Sequence, residues 1–444
     1  MKPTPKGMCD ILPEDAILRR EVLELVEKIY RKYGFVPIET PALEYLATLR
    51  AKAGEEIDKQ IFKFDDNELG LRFDLTVPLA RVAANNAFAK PFKRYAIAPV
   101  WRKEEPQKGR FREFWQADID IIGTKGMRAE AELLAAARES LLALGFKELR
   151  ILINNRKILD ALAAKLGIEN KKEAIFRLLD KIDKVGEDAV KKEMGEVIGS
   201  EKTKKLFEIF DPEERSSLGD RDFNRSLEIC STEQTDRDRR SRDTKGDNKK
   251  KLEITRVLSE EGAIELEEIV AGCDFEVEVN LALVRGLGYY TGPVFEIKAS
   301  DSIGSIAGGG RYDNLLGIYG QADYAVGISL GIERIINLIK EKKQKEDQTN
   351  KTYSKVFVAC VKPELFEDST KIASKLRKNN IACEVDLNER NLRKQLEYVN
   401  ALAIPYLIVV GEREIKEGKF TLRDMKTGKE EKLSIDEIVN RLRV

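Results

Sequence analysis

Histidine does not occur once in the 444 residues. That absence removes His-based metal sites, histidine general bases and Ser-His or Cys-His nucleophile pairs. Cysteine is scarce: Cys9, Cys230, Cys273, Cys360 and Cys383 are scattered, odd in number and without a C-x-x-C pair. Reduced thiols explain this better than a disulfide framework or a structural zinc. No apolar run approaches the roughly 18 residues that span a bilayer. The first residues, MKPTPKGMCDILPED, lack the charged-then-apolar order of a secretory signal, so a cytoplasmic protein is expected. Net charge is missing too, with 78 basic residues against 78 acidic ones; contact with nucleic acid has to come from local patches. Chemistry is left to carboxylates, arginines, tyrosines, backbone groups and magnesium.

What is present suffices for two or three domains. Apolar residues make up 42 % of the chain, enough for real cores, and charged residues 35 %, enough for a heavily solvated surface. Apolar positions 18, 22, 25, 26, 29 and 33 form the stripe of an amphipathic helix over 15–33. GFVPIETPAL follows as an extended stretch closed by Pro41. Strand-like alternation marks LRFDLTVPLAR, KRYAIAPVWR and EFWQADIDIIG, and residues 128–145 predict a helix ended by Gly145. From about 170 to 265 the texture is helical and rich in lysine and glutamate. Within it, 231–251 (STEQTDRDRRSRDTKGDNKKK) has no apolar residue, which predicts a solvated mobile loop or a contact with a phosphate backbone. After a polar linker at 341–352, strands and helices alternate over 353–444, the pattern of a small α/β domain. The expected division is a discontinuous core of 1–170 and 266–340, a helical insertion at 171–265, the linker, and the C-terminal domain.

Several stretches carry polar groups where packing does not call for them. If EFWQADIDIIG is a strand, Phe114, Gln116, Asp118 and Asp120 share one face, a poor core but a good pocket floor. LRFDLTVPLAR would add Asp74 and Thr76 as a second floor strand. The loop WRKEEPQKGRFR offers Arg102, Arg110 and Arg112 with Glu104 between them, suited to phosphate or carboxylate unless merely solvated. VRGLGYYTGP (284–293) combines Arg285, three glycines, Tyr289 and Tyr290, which suggests a pocket for something small, polar and partly anionic. The glycine triplet before Arg311 could cradle phosphate or form a tight turn. Arg334 falls at the start of a helix, where it opposes the dipole and invites an anion.

In their order these pieces resemble the class II aminoacyl-tRNA synthetases, and among them the histidyl-tRNA synthetase family. The helix and strand ending in Pro41 resemble the first class motif, a dimer interface. Arg102, Glu104, Arg110 and Phe114 match the second motif, and Gly327 to Arg334 (GISLGIER) the third. LRFDLTVPLAR, GRFREFWQADIDIIG, VRGLGYYTGPVFE and GGGRYDNLL are similar to the histidine-specific elements, though the family often has an acidic residue where Gly288 stands.

The resemblance implies an α+β catalytic core, an antiparallel sheet flanked by helices, with a helical insertion and a C-terminal α/β anticodon-binding domain. It implies a homodimeric ligase that activates histidine with ATP and Mg2+ to histidyl-adenylate, then transfers it to the 3′ end of tRNA(His). Arg102 and Arg285 would grip the α-phosphate and the substrate carboxylate. Glu104, Arg110, Phe114 and Arg334 would complete the ATP site. Asp74, Thr76 and Gln116 would hold the amino group, and Asp120 and Tyr290 the imidazole nitrogens, with Tyr289 and Arg311 as further contacts. A catalytically silent regulatory or RNA-sensing relative is the rival; the retained C-terminal domain and Arg285 speak against it. Since the enzyme has no histidine, activity changes between about pH 5 and 7 should track the substrate ring.

Overall fold

The computed structural model describes residues 3–51, 55–64, 68–106, 111–179, 182–210, 244–284, 289–299, 304–343 and 351–443. They form two compact units, Met1–Cys9 with Val22–Leu338, and Asp10–Glu21 with Ile339–Val444. Helix α1 (Pro13–Lys32) begins with Pro13, Glu14 and Asp15 and ends with Arg31 and Lys32, matching both ends of the helix dipole. Its stripe residues Val22, Val26, Ile29 and Tyr30 are buried.

Strand β1 (Val36–Pro37) is followed by β2 (Leu43–Tyr45) and β3 (Leu69–Leu71), which pair with each other. Here the structure corrects an expectation. LRFDLTVPLAR is not a strand: β3 ends at Leu71 and α2 (Thr76–Asn85) begins five residues later. The short alternation loses to a helical stripe of buried Val77, Ala80 and Ala83. Pro78 sits in the first turn, where its missing N–H is not needed. Asp74 Oδ1 also accepts from Val77 N at 3.0 Å, tying the chain into its helical start.

The long pair β4 (Phe92–Trp101) and β5 (Glu113–Ile122) follows, then α3 (Arg128–Ala143) and β6 (Arg150–Asn155). Gly145, at φ +89°, ends α3 in a left-handed conformation. After the helical insertion come α4 (Glu260–Gly272), β7 (Glu278–Val279), β8 (Pro293–Lys298), β9 (Ser305–Arg311), α5 (Asp313–Ile318), β10 (Ala325–Gly331) and α6 (Ile332–Lys343). The eight-stranded sheet has the order β1-β4-β5-β10-β9-β8-β6-β7. Its six inner strands are antiparallel, and only the two edges pair in parallel. The glycine triplet is therefore neither turn nor loop; it lies inside β9, between β8 and β10.

Of the charged segment 231–251, residues 231–243 lie outside the described residues. The rest opens the helix Thr244–Leu258 rather than a loop. Asn248 in it is buried, donates to Val277 O, and accepts from Val279 N at 2.9 Å. One polar side chain thus supplies the partners that fix edge strand β7.

In the second unit, β11 (Val356–Cys360), β12 (Cys383–Val385), β13 (Tyr406–Val410), β14 (Phe420–Asp424) and β15 (Glu430–Leu433) form a sheet of order β12-β11-β13-β14-β15. Its first three strands are parallel. Alternation sends Val356 and Val358 to a core with Ile372, Leu376 and Ile438, and Phe357 and Ala359 to one with Leu392, Leu396 and Val399. Helices thus cover both faces. Of the expected linker, 341–343 extend α6 and 344–350 lie outside the described residues.

Candidate active site

Residues paired across a sheet point to the same side, so the register of the first unit defines a floor. One row runs Arg94, Asp120, Gly327, Gly310, Val294, Asn154 across β4, β5, β10, β9, β8 and β6. The next runs Ala96, Asp118, Ser329, Gly308, Glu296, and a third Ala98, Gln116, Gly331. Glycine, alanine and serine keep the floor low, while carboxylates and an amide stand up from β5. Gly327 is required there: a Cβ would stand 1.9 Å from Asp120 Oδ1. At Gly310 a Cβ would meet the Tyr290 ring at 2.8 Å. The opposite face of β5 is core, with Ala117 and Ile119 fully buried and Tyr30 OH on α1 donating to Ala117 O at 3.0 Å.

Asp74, Asp118 and Asp120 are 2–3 % exposed, and Arg94, at 1 %, is the guanidinium buried among them. Arg94 Nη2 lies 2.7 Å from Asp120 Oδ2 but directs a hydrogen bond to Leu75 O at 3.1 Å. Oδ2 therefore has a charge contact without an aligned hydrogen bond. Tyr312 OH donates to Asp120 Oδ1. Gln116 Nε2 donates to Ser329 Oγ at 2.9 Å. Asp74 Oδ2, Gln116 Oε1 and Asp118 Oδ1 are buried and accept no hydrogen bond among the described residues. Buried acceptors are normally satisfied; this floor is set out for a ligand rich in N–H donors.

Burial also moves the carboxyls. It pushes Asp74 up to about 6, opposed by the Val77 N–H and by Arg102 and Arg94. It pushes Asp118 up to about 7, Arg94 opposing and the charges of Asp120 and Asp74 assisting. Asp120 is raised by burial despite Arg94 and Tyr312. The expectation that only the substrate ring titrates between about pH 5 and 7 does not hold: two carboxyls of the protein titrate there as well.

Several expected residues meet at this floor. Asp74 and Thr76 arrive from the start of α2 instead of from a floor strand. Tyr289 is buried, hydrogen-bonded with Thr76, and packs edge-on to Tyr312 at 6.0 Å and tilted to Tyr290 at 4.9 Å. Arg102 donates to Phe73 O at 3.0 Å and lies 5.0 Å from the Phe114 ring centroid. Arg334 opens α6, donates to Ser305 O, and stands close to Gly331, opposite Gln116. The backbone of Glu104 accepts from Arg112 at 2.9 Å, which shapes the β4–β5 loop. Arg110, Arg285 and Gly288 lie outside the described residues.

Arg311 goes elsewhere. Alternation from Gly308 and Gly310 turns it to the opposite face, where it pairs with buried Glu130 at 2.7 Å and bonds Thr124 O, Gly126 O and Asp313. Its role is to join β9 to α3. Conversely, Arg94, Tyr312 and Ser329 belong to the floor without having been singled out. Strand register brings Arg94 opposite Asp120 and Ser329 opposite Asp118, and Tyr312, just beyond β9, reaches Asp120 through its hydroxyl; no local period marks these contacts.

An antiparallel sheet with one arginine off β4, another on the helix after β10, and acceptors between them places the first unit among the class II aminoacyl-tRNA synthetases. Comparison with known proteins narrows this: the histidyl-tRNA synthetase profile matches residues 7–335 and an anticodon binding domain profile residues 355–444. The chain belongs to the histidyl-tRNA synthetase family and is an aminoacyl-tRNA ligase. It is 38 % identical to the histidine–tRNA ligase of Korarchaeum cryptofilum, over 99 % of this chain and 98 % of that one. The enzyme of Clostridium tetani is 36 % identical over 98 % and 96 %. The crystal structure of histidyl-tRNA synthetase from Nostoc sp. PCC 7120 matches with a TM-score of 0.78 at 28 % identity, covering 99 % of each chain. Among the described residues no helix is long and apolar enough to cross a membrane.

Proposed function

We propose that this ligase activates histidine on the β5–β10 floor, with the site residues in the following roles. Asp74, Thr76 and Gln116 take the α-ammonium, and Asp120 and Tyr290 meet the two ring nitrogens, backed by Tyr289. Arg102 and Arg285 hold the α-phosphate and the substrate carboxylate. Glu104, Arg110, Phe114 and Arg334 hold the rest of ATP. The carboxylate of histidine is already a nucleophile at neutral pH and attacks the α-phosphorus, releasing pyrophosphate. No general base is needed, which accords with a site built without histidine. What the protein supplies is alignment and positive charge for the spreading negative charge. The adenylate then passes its histidyl group to the 3′-terminal ribose of tRNA(His).

Magnesium would enter on the phosphates of ATP, where it would neutralise their charge. We read 1–170 and 266–340 as catalytic core, 171–265 as insertion, and 353–444 as the part that reaches the anticodon. Exposed Arg393 and Lys394 on the helix Leu392–Ala401 suit contact with a phosphate backbone. Arg390 is already paired with Asp386 and stacked on Tyr398. Exposed Val36, Leu43 and Tyr45 support a homodimer through the segment 36–45, and a cytoplasmic location accords with the free thiols.

The observation that carries the pocket reading is the set of buried acceptor oxygens on Asp74, Gln116, Asp118 and Asp120 with no donor among the described residues. ATP–pyrophosphate exchange with each amino acid tests it. Histidine alone should support exchange in the parent chain, and Asp120→Ala or Tyr290→Ala should abolish the discrimination. Unchanged selectivity in both variants would remove the reading.

A further inference from the structure

Asp118 has been given no substrate contact in the roles above, although it stands on the same floor. It projects from β5 between Gln116 and Asp120, flanked across the sheet by Ala96 and Ser329, neither long enough to cover it. Ser329 hydrogen-bonds the carboxylate, while Oδ1 is buried and accepts nothing among the described residues. The charges facing it are Asp120 on its own strand, Arg94 from β4, and Asp74 with Arg72 from the segment before α2. Tyr312 is the nearby phenol after β9, and Tyr30 on α1 lies beyond the opposite face of β5. Asp74, Asp118 and Asp120 stand around the buried guanidinium of Arg94, so the floor favours cationic groups on a ligand. The substrate can bring two: its α-ammonium and its ring once protonated.

We propose that Asp118 is a further specificity-determining residue: its unpartnered Oδ1 takes an N–H of the histidine ring beside Tyr290, and the ring is bound as the imidazolium, its other N–H on Asp120. This rests on the pocket reading above. A neutral imidazole offers one donor and one acceptor; the imidazolium offers two donors to a floor of acceptors. The bound complex then holds one proton across Asp118 and the ring. At neutral pH that proton is already present, divided between a carboxyl that titrates near 7 and a free ring that titrates at about 6.5. Above that range both partners have lost it, and binding must take one up.

The test uses the full chain with histidine and ATP in the exchange assay. The KM for histidine should be lowest near neutrality and rise about tenfold per pH unit above it, while the KM for ATP stays flat. Asp118→Asn should abolish that alkaline rise. The triazole analogue of histidine, whose ring stays neutral, should be discriminated against by the parent chain and less so by the variant. Ring-15N histidine bound to the parent at pH 7.5 should show both nitrogens protonated by NMR. A KM for histidine that is flat above neutrality, the result expected if Asp118 served only the ammonium, would overturn the proposal. So would a neutral bound tautomer, or an unaltered profile in Asp118→Asn. The parent-chain measurements decide the matter even if the variant does not fold. Failure here with discrimination still lost in Asp120→Ala leaves the pocket reading intact.

Discussion

Asp120 is held from two sides, by the Tyr312 hydroxyl on Oδ1 and the Arg94 guanidinium beside Oδ2. Each support can be removed separately. Tyr312→Phe deletes one hydrogen bond to a charged acceptor, worth about 1.5–3 kcal/mol. It should raise the KM for histidine by roughly tenfold to a hundredfold in the exchange assay and leave the KM for ATP unchanged. Arg94→Met removes the buried counter-charge and leaves carboxylates uncompensated, so urea unfolding should show a loss of about 3–5 kcal/mol. Arg311→Met should cost a similar amount, because Glu130 is left buried and alone, yet the folded fraction should keep its KM for histidine. A raised KM there would return Arg311 to the pocket. At this scale Asp120 and Gln116 were legible from alternation alone. Arg94 and Tyr312 were not, since neither sits near Asp120 in the chain.

Strand β5 carried its own signature: polar and apolar residues alternate over its length, so both faces could be assigned before any partner was known. Alternation misled at 71–81, where the hydrogen bond from Val77 N to Asp74 and the stripe of α2 act over longer spacing than the apparent period of two. The glycines of β9 and β10 show another limit. A glycine run is compatible with turn, cradle or strand, and what selects the strand is close approach of neighbours: the Tyr290 ring at Gly310 and the Asp120 carboxylate at Gly327. Gly327→Ala should displace Asp120 and reduce histidine-dependent exchange by about a hundredfold or more, the scale of a misplaced positioning group. Circular dichroism should show the sheet retained. Full activity in that variant would mean that the floor tolerates a side chain between β5 and β10.

For the whole molecule, the buried carboxyls tie stability to pH. Asp74 and Asp118 titrate at about 6 and about 7 in the folded protein, above the ordinary 3.8. Between about 3.8 and 7 the folded state therefore binds more protons than the unfolded one, and their contribution to stability falls as pH rises through that window. Thermal unfolding without substrate should show Asp118→Asn gaining on the parent from pH 5 to pH 8, by a margin on the order of 1–3 kcal/mol. Histidine, bringing positive charge to the same floor, should stabilise the parent more at pH 8 than the variant. A difference that does not change with pH would place Asp118 in a solvated setting. By itself the sequence determined what a residue's own neighbours can encode: the α1 stripe, the two faces of β5, the three-layered second unit, and the chemistry left to a chain without histidine. Only the tertiary structure decided which strands lie side by side. That register puts Arg94 and Ser329 beside the β5 carboxylates and turns Arg311 away from them, because contacts between residues far apart in the chain depend on packing that no local pattern specifies.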